Sequence, residues 1–308
     1  MKNSIDRREF IKRSMSAGIA TIAGSLSLPS AFSGESLPAN LDLSVVNGTN
    51  YFASTMKAVE LLGGMSTFVK KGSSVGLLIN SPWNKTGTYT HPDVSLAVLK
   101  MCIDAGAGKV CSIENASTEY WKRSSKYENF KNEVKLVQSC SEKKTVPIKD
   151  GISLKEAEIS KAFLECDIII NIPIVKNHQG TNFTCNLKNV MGACSHQTNG
   201  YFHKGAGGSG YYDHPDFLSQ CIADLQLVRT PDLCIVDASE FVLTNGPAGP
   251  GELRKANKVV AGKNCVSVDA YCSTLLDLNP ADISMIRFAT QHGLGEMELA
   301  KLSMKEVS

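Results

Sequence analysis

Between residues 167 and 175 the chain reads Asp-Ile-Ile-Ile-Asn-Ile-Pro-Ile-Val, almost wholly apolar and rich in β-branched side chains. A run this short and this apolar reads as a strand covered on both faces, the central kind found in parallel sheets. Shorter apolar runs at 75–79, 109–113, 233–237 and 259–261 read the same way. Helix signals lie between them. Thr90, His91, Pro92 and Asp93 open one helix, with proline suited to a first turn and an acid near its positive end. Val94, Val98, Met101, Cys102 and Ala105 give that helix one buried face. A second helix is expected over 215–228, with Phe217, Cys221, Leu225 and Val228 as its stripe, and a last one over 264–276. Ser153-Leu154-Lys155-Glu156 is a capping-box pattern, which predicts a helix running to about Leu164. Residues 115–145 are polar, with Tyr120, Trp121, Tyr127 and Phe130, and read as a surface excursion carrying one helix. Strands alternating with helices predict an α/β fold: a Rossmann-like, mostly parallel sheet with helices on both faces.

The N-terminus carries a different message. Asp6-Arg7-Arg8-Glu9-Phe10-Ile11-Lys12 has the form of a twin-arginine (Tat) export motif. The apolar run from Met15 to Leu28 is too short, and too rich in Gly, Ser and Ala, to span a bilayer stably. Ala31 and Ser33 supply the small residues a signal peptidase needs. The expected division is a leader at 1–33, a lead-in at 34–73 and an α/β domain at 74–300. It implies the Tat translocase as a partner during export, a periplasmic or otherwise exported location, and no stable membrane span after cleavage. The leader's basic residues exceed its acidic ones by more than the chain's whole formal charge of +2, so the remainder is near neutral and lacks an electrostatic footprint for nucleic acid. All ten cysteines follow the leader, mostly inside apolar runs, and no Cys-x-x-Cys pair occurs. They read as reduced, small buried hydrophobes, with no local iron–sulfur motif.

In open α/β sheets ligands sit beyond the carboxyl ends of the strands. The central strand leads into Lys176-Asn177-His178, where residues two apart share a face, so Lys176 and His178 point the same way. Lysine neutralises an anion, and histidine binds a metal or carries a proton. The stretch 181–192 has helical apolar spacing at Phe183, Leu187 and Val190, with Asn182, Asn186 and Asn189 as a second stripe and Thr184 and Lys188 together on one side. Asparagine is a weak helix former, so such a stripe points to hydrogen bonding. Asp237, at the end of the strand over 233–237, is expected to face the crevice opposite His178. The candidate catalytic set is Lys176, His178, Lys188 and Asp237. The candidate ligand-binding set is Asn80, Asn171, Thr184, Asn186, Asn189 and Gly246. His178, Cys194, His196 and His203 are candidate ligands for iron, nickel or zinc, although their spacing matches no standard motif. The Lys204–Gly210 stretch is glycine-rich but lacks the Gly-Lys-Ser/Thr of a phosphate loop, and reads as a flexible loop or a lid. Asp269, inside an apolar helix, requires a buried partner.

Taken in order, Thr90-His91-Pro92, Ala105-Gly106-Ala107, Asn171-Ile172-Pro173, Lys176-Asn177-His178, Thr184 and Lys188-Asn189-Val190-Met191-Gly192 resemble the core of the domain of unknown function 362 family. Asp237, Gly246-Pro247, Val268-Asp269-Ala270 and Gly293-Leu294-Gly295 extend the resemblance, which covers about residues 75–295. The family has no general assigned reaction. Many of its members carry an added four-iron four-sulfur segment, whose cysteine run this chain lacks. The family's architecture is distantly similar to that of nickel-pincer lactate racemases, which implies cofactor-holding and proton-transfer roles for Lys176 and His178. The functional expectation is an exported metal- or cofactor-dependent, redox-capable enzyme acting on a small anionic substrate. The alternatives are a non-catalytic periplasmic binding or accessory protein and a nickel-pincer racemase-like enzyme.

Overall fold

The computed structural model describes residues 40–205 and 215–308. The leader expected at 1–33, most of the glycine-rich loop and His214 lie outside the described residues. In chain order the strands are β1 (Leu43–Asn47), β2 (Ser74–Ile79), β3 (Lys109–Ser112), β4 (Gln138–Ser139), β5 (Lys143–Pro147), β6 (Glu156–Ser160), β7 (Ile168–Ile172), β8 (Lys176–His178), β9 (Asn182–Thr184), β10 (Leu233–Val242), β11 (Leu253–Gly262) and β12 (Met304–Val307). Eight of them form one sheet in the order β12-β1-β11-β10-β7-β2-β3-β4, while β5 with β6 and β8 with β9 make separate antiparallel pairs. The main sheet is parallel except where β11 pairs with β1 and β10. The apolar run at 168–172 lies inside it, between β2 and β10, as its composition requires.

Alternation along the strands divides the core in two. Val75, Leu77 and Ile79 of β2 and Ile170 and Ile172 of β7 face one side. There they meet α1 (Tyr51–Leu61) and α2 (Pro92–Asp104). His91 caps α2, its ring Nδ1 accepting from Asp93 N. Leu78, Ile169, Cys234 and Val236 face the other side. Helices are thus present on both faces, each burying an apolar surface that neither sheet nor helix could leave in water.

Three local expectations fail, each for a tertiary reason. The polar excursion holds two short helices, α3 (Thr118–Trp121) and α4 (Tyr127–Val134), and Tyr120 and Trp121 are core residues rather than surface ones. Ser153 does not cap a helix. Its N–H and that of Leu154 both donate to Asp224, and Glu156–Ser160 pairs with β5 as a strand that buries Ala157 and Ile159. Only the five residues of α5 (Lys161–Glu165) are helical there. Within 181–192 the helix is broken: Asn182 has a left-handed φ of 60°, β9 pairs back on β8, and helix begins only at α6 (Asn186–Asn189), continuing as a 3-10 turn over Val190–Ala193. Asn182 is therefore exposed in the hairpin, apart from Asn186 and Asn189.

The start of α6 is fixed from outside. Further along come α7 (His196–Lys204), α8 (Pro215–Leu225), α9 (Cys265–Thr274) and α10 (Ser284–Gln291). From α9 the buried Asp269 accepts from the N–H groups of Asn186 and Leu187 at 2.8 and 2.9 Å, and from Asn186 Nδ2 at 2.9 Å. This carboxylate does the work of a missing N-cap. Among the described residues, no helix is long and apolar enough to cross a membrane.

Removing Asp269 strands three buried donors, each worth about 1–3 kcal/mol. Asp269→Ala is expected to lower the unfolding free energy by about 3 kcal/mol or more in urea titration. Burial also raises the carboxyl to about 6, above its ordinary value, so the native state favours the neutral acid. Stability of the parent should fall as pH rises through about 4 to 6, and this slope should vanish in Asp269→Asn.

Candidate functional site

The chain runs β2, β3, β4 towards one edge of the sheet and then returns to β7 on the far side of β2. The β2/β7 boundary is thus a switch point, the place where an open parallel sheet leaves a crevice at its carboxyl edge. Segments leaving β2, β3 and β7 deliver Asn80, Glu114 and Lys176 to that edge. Two backbone bonds, Val175 N to Asp237 O and Asp237 N to Pro173 O, tie the lead-in to β8 against β10.

A cavity of about 260 Å³ opens there, with Asn80, Trp83, Glu114, Lys176, His178, Thr184, Lys188, Asn189, Asn199 and His203 on its wall. Pockets for larger ligands generally run from about 300 to 1,000 Å³, so this one suits a small molecule. Its floor is a chain of amides. Asn189 Nδ2 donates to Leu78 O at 3.1 Å and to Asn171 Oδ1 at 2.7 Å, and Asn171 Nδ2 donates to Asn186 O at 2.9 Å. Asn80 Nδ2 donates to Asn189 Oδ1 at 2.8 Å, and Asn80 Oδ1 accepts from Lys176 Nζ at 3.3 Å. Lys176 also donates to Thr88 O.

Lys176 is 1% exposed. Burial, with the charge of Lys188 adding to it and Glu114 opposing, brings its ammonium down to about 7. Burial alone takes Lys188 to about 8. Among the described residues the one polar contact of Lys188 Nζ is the Met191 thioether, at 3.5 Å. Glu114, whose burial outweighs the pull of Lys176 and Lys143, rises to about 7. His178 is pushed down to about 2 by burial and by the charges of Lys188, His203 and Lys176. Its Nδ1 accepts from Gly180 N at 3.0 Å, which places the ring proton on Nε2. His178 is therefore a neutral donor at ordinary pH rather than the proton carrier its position suggested. Two buried oxygens of cavity residues, Thr184 Oγ1 and Asn199 Oδ1, have no hydrogen-bond partner among the described residues.

Lys176, His178, Lys188, Asn80, Thr184 and Asn189 thus meet at one cavity, with Asn171 and Asn186 beneath it. Asp237 does not join them. Strand alternation turns it to the side of Ile235, where it accepts from His91 N at 2.6 Å and Ser239 N at 2.9 Å, so it braces α2 instead of opposing His178. Gly246 is a close-packing position. A Cβ there would lie 1.8 Å from Asn177 O, while its N–H donates to Asn177 Oδ1 at 3.1 Å. The proposed metal set also disperses: Cys194 is buried against Ile159, His196 is exposed at the start of α7, and only His178 and His203 reach the cavity. Among the described residues no three His, Cys, Asp or Glu side chains are grouped to hold a metal ion.

A family model described as a domain of unknown function, DUF362, matches residues 75–274. The chain belongs to the DUF362 family. It is similar to the thylakoid-associated protein sll1697 of Synechocystis sp., with 28% identity over 255 residues that cover 79% of this chain and 74% of that protein. Among solved structures it is similar to the lactate racemase apoprotein from Thermoanaerobacterium thermosaccharolyticum, with a TM-score of 0.40 and 12% identity, covering 65% of this chain and 51% of that one. A protein from Thermotoga maritima matches with a TM-score of 0.38 and 13% identity, over 80% of this chain and 60% of that one. This DUF362 chain spans about half the length of the racemase apoprotein.

Within the DUF362 domain, Glu114, Trp83 and Asn199 are cavity residues that sequence reasoning did not select. Glu114 follows β3 as Lys176 follows β7, so the strand-end rule that singled out the lysine applies to it equally. Gly192 makes room for its carboxyl, since a Cβ there would lie 2.5 Å from Glu114 Oε2.

A buried amine held below its ordinary value costs the native state most when it is charged. The folded value of about 7 for Lys176 lies below the ordinary 10.5, so stability is lowest below about 7 and recovers as pH rises towards 10.5. Lys176→Met is expected to raise the unfolding free energy by about 1–3 kcal/mol near pH 6.5, with the gain shrinking at higher pH. Denaturant titrations across that range measure both the gain and its slope.

Proposed function

We propose that this DUF362 protein is an exported enzyme that binds a small anionic substrate in the cavity and carries out proton transfer on it. The observation that carries the reading is Lys188: a half-buried ammonium facing a thioether, beside the unpartnered hydroxyl of Thr184. Among the described residues a cation so placed lacks a charge-balancing group, and an anion supplies one. Glu114 and Lys176, both brought to about 7, suit acid–base work at neutral pH. His178, with its ring proton on Nε2, adds a neutral donor on the cavity wall. Export rests on the twin-arginine pattern at residues 6–12. The donor set does not fit a metal ion held by side chains, so no step is assigned to one.

The decisive experiment is calorimetry of lactate, acetate and inorganic phosphate on the protein starting at residue 34. At least one should bind, and Lys188→Ala should weaken it about 10- to 100-fold, the worth of a charge-assisted hydrogen bond. Affinity should fall about tenfold per pH unit above about 8, as the Lys188 ammonium loses its proton. Equal affinity in the variant would remove the basis for the site. Tight binding with no exchange of substrate hydrogen for solvent deuterium would favour a non-catalytic carrier.

A further inference from the structure

We propose that Lys176 condenses with the carbonyl of a small oxo acid whose carboxylate is held by Lys188, forming an imine in the cavity. This rests on the anion-binding reading above and names the substrate class of the same site. One small anion needs only one cation, yet two amines border this small cavity, and they are held differently. Lys188 projects from α6 with a thioether as its polar contact. Lys176 projects from β8 and is aimed by two acceptors, Asn80 Oδ1 and Thr88 O. A neutral amine has two N–H bonds and one lone pair. The two acceptors take the two N–H bonds and leave the lone pair for an electrophile.

The amide chain makes this aim rigid, because Asn80 is itself gripped by Asn189, which grips β2 and Asn171. A Lys176 that served only as a counter-charge would gain nothing from such fixation. The neighbouring charge of Lys188 and burial raise the neutral fraction of Lys176, the usual way a lysine is made nucleophilic. Glu114 supplies the proton relay that imine formation requires, in a space that Gly192 keeps open.

The step balances without a redox partner. The Lys176 nitrogen forms a bond to the carbonyl carbon as the carbon–oxygen π pair moves onto oxygen. That oxygen takes a proton from the Glu114 carboxyl, and the nitrogen returns one to the Glu114 carboxylate. The hydroxyl then leaves as water with a proton from Glu114, while the nitrogen lone pair closes the carbon–nitrogen double bond. A final N–H proton returns to Glu114. The net change is amine plus carbonyl giving imine plus water. The imine withdraws electrons from the adjacent carbon, which eases proton removal there.

The test treats the protein starting at residue 34 with pyruvate and sodium borohydride, followed by intact mass measurement and peptide mapping. The expected product is one equivalent of reduced pyruvate adduct on Lys176, with the yield at least tenfold lower in Lys188→Ala at the same pyruvate concentration. Lactate, which lacks the carbonyl, is measured by calorimetry on the same preparation. Lactate binding without a Lys176 adduct, even at saturating pyruvate, overturns the imine and leaves the anion site standing. An adduct confined to other lysines also overturns it. Absence of both adduct and anion binding brings down the anion reading as well. Because the wild-type map itself locates the adduct, the result does not depend on a Lys176 variant folding.

Discussion

One carboxamide ties the molecule together. Asn189 grips the carbonyl of Leu78 in β2 and the side chain of Asn171 in β7, and it receives the side chain of Asn80. Each of these bonds is made where water cannot compete, so each is costly to leave unmade. The clamp holds α6 against the two strands that flank the switch point. Through Asn80 it also sets the direction of Lys176. Sheet topology, the start of a short helix and the aim of one amine are therefore a single problem. Asp269 solves the other half, seating the first turn of α6 from the opposite side.

The electrostatic design runs against stability. Two amines and a carboxyl are kept at one small cavity without close ion pairing among the described residues, a state that a core optimised for stability would replace with apolar groups. Burial moves all three towards their neutral forms: the lysines go down and Glu114 goes up. Such a cluster holds its charges loosely, so a small ligand can change which groups are protonated.

Much of the framework was legible in the residues. The apolar run of β7, the proline-led start of α2 and the helix expected over 264–276, seen as α9, all follow from local pattern, and tertiary packing agrees with it. Lys176 and His178 share the cavity because a strand's period of two puts them on one face. What was not legible depended on distant partners. Nothing near Ser153 announces that Asp224 will take its N–H, turning a capping-box pattern into a turn and a strand. Asp237 stands at an inviting place in sequence, yet the parity of β10 sends it to the other face of the sheet. Glu114 was obscured because it stands between the strand over 109–113 and the polar stretch at 115–145, where a lone carboxyl reads as surface. The metal set failed since sequence proximity of Cys194, His196 and His203 says nothing about which way each side chain leaves its helix or bridge.

The first strand of the sheet has unusual neighbours. β1 is paired on one side with β11 and on the other with β12, segments that begin at Leu253 and Met304. A ribosome delivers β1 long before either partner exists. During synthesis this hydrophobic strand, with Leu43, Val45 and Val46 all destined for burial, must wait with both edges unsatisfied. It enters the sheet only when the carboxyl-terminal segments arrive. The strand that comes first in the chain is thus the one whose pairing on both edges is completed last.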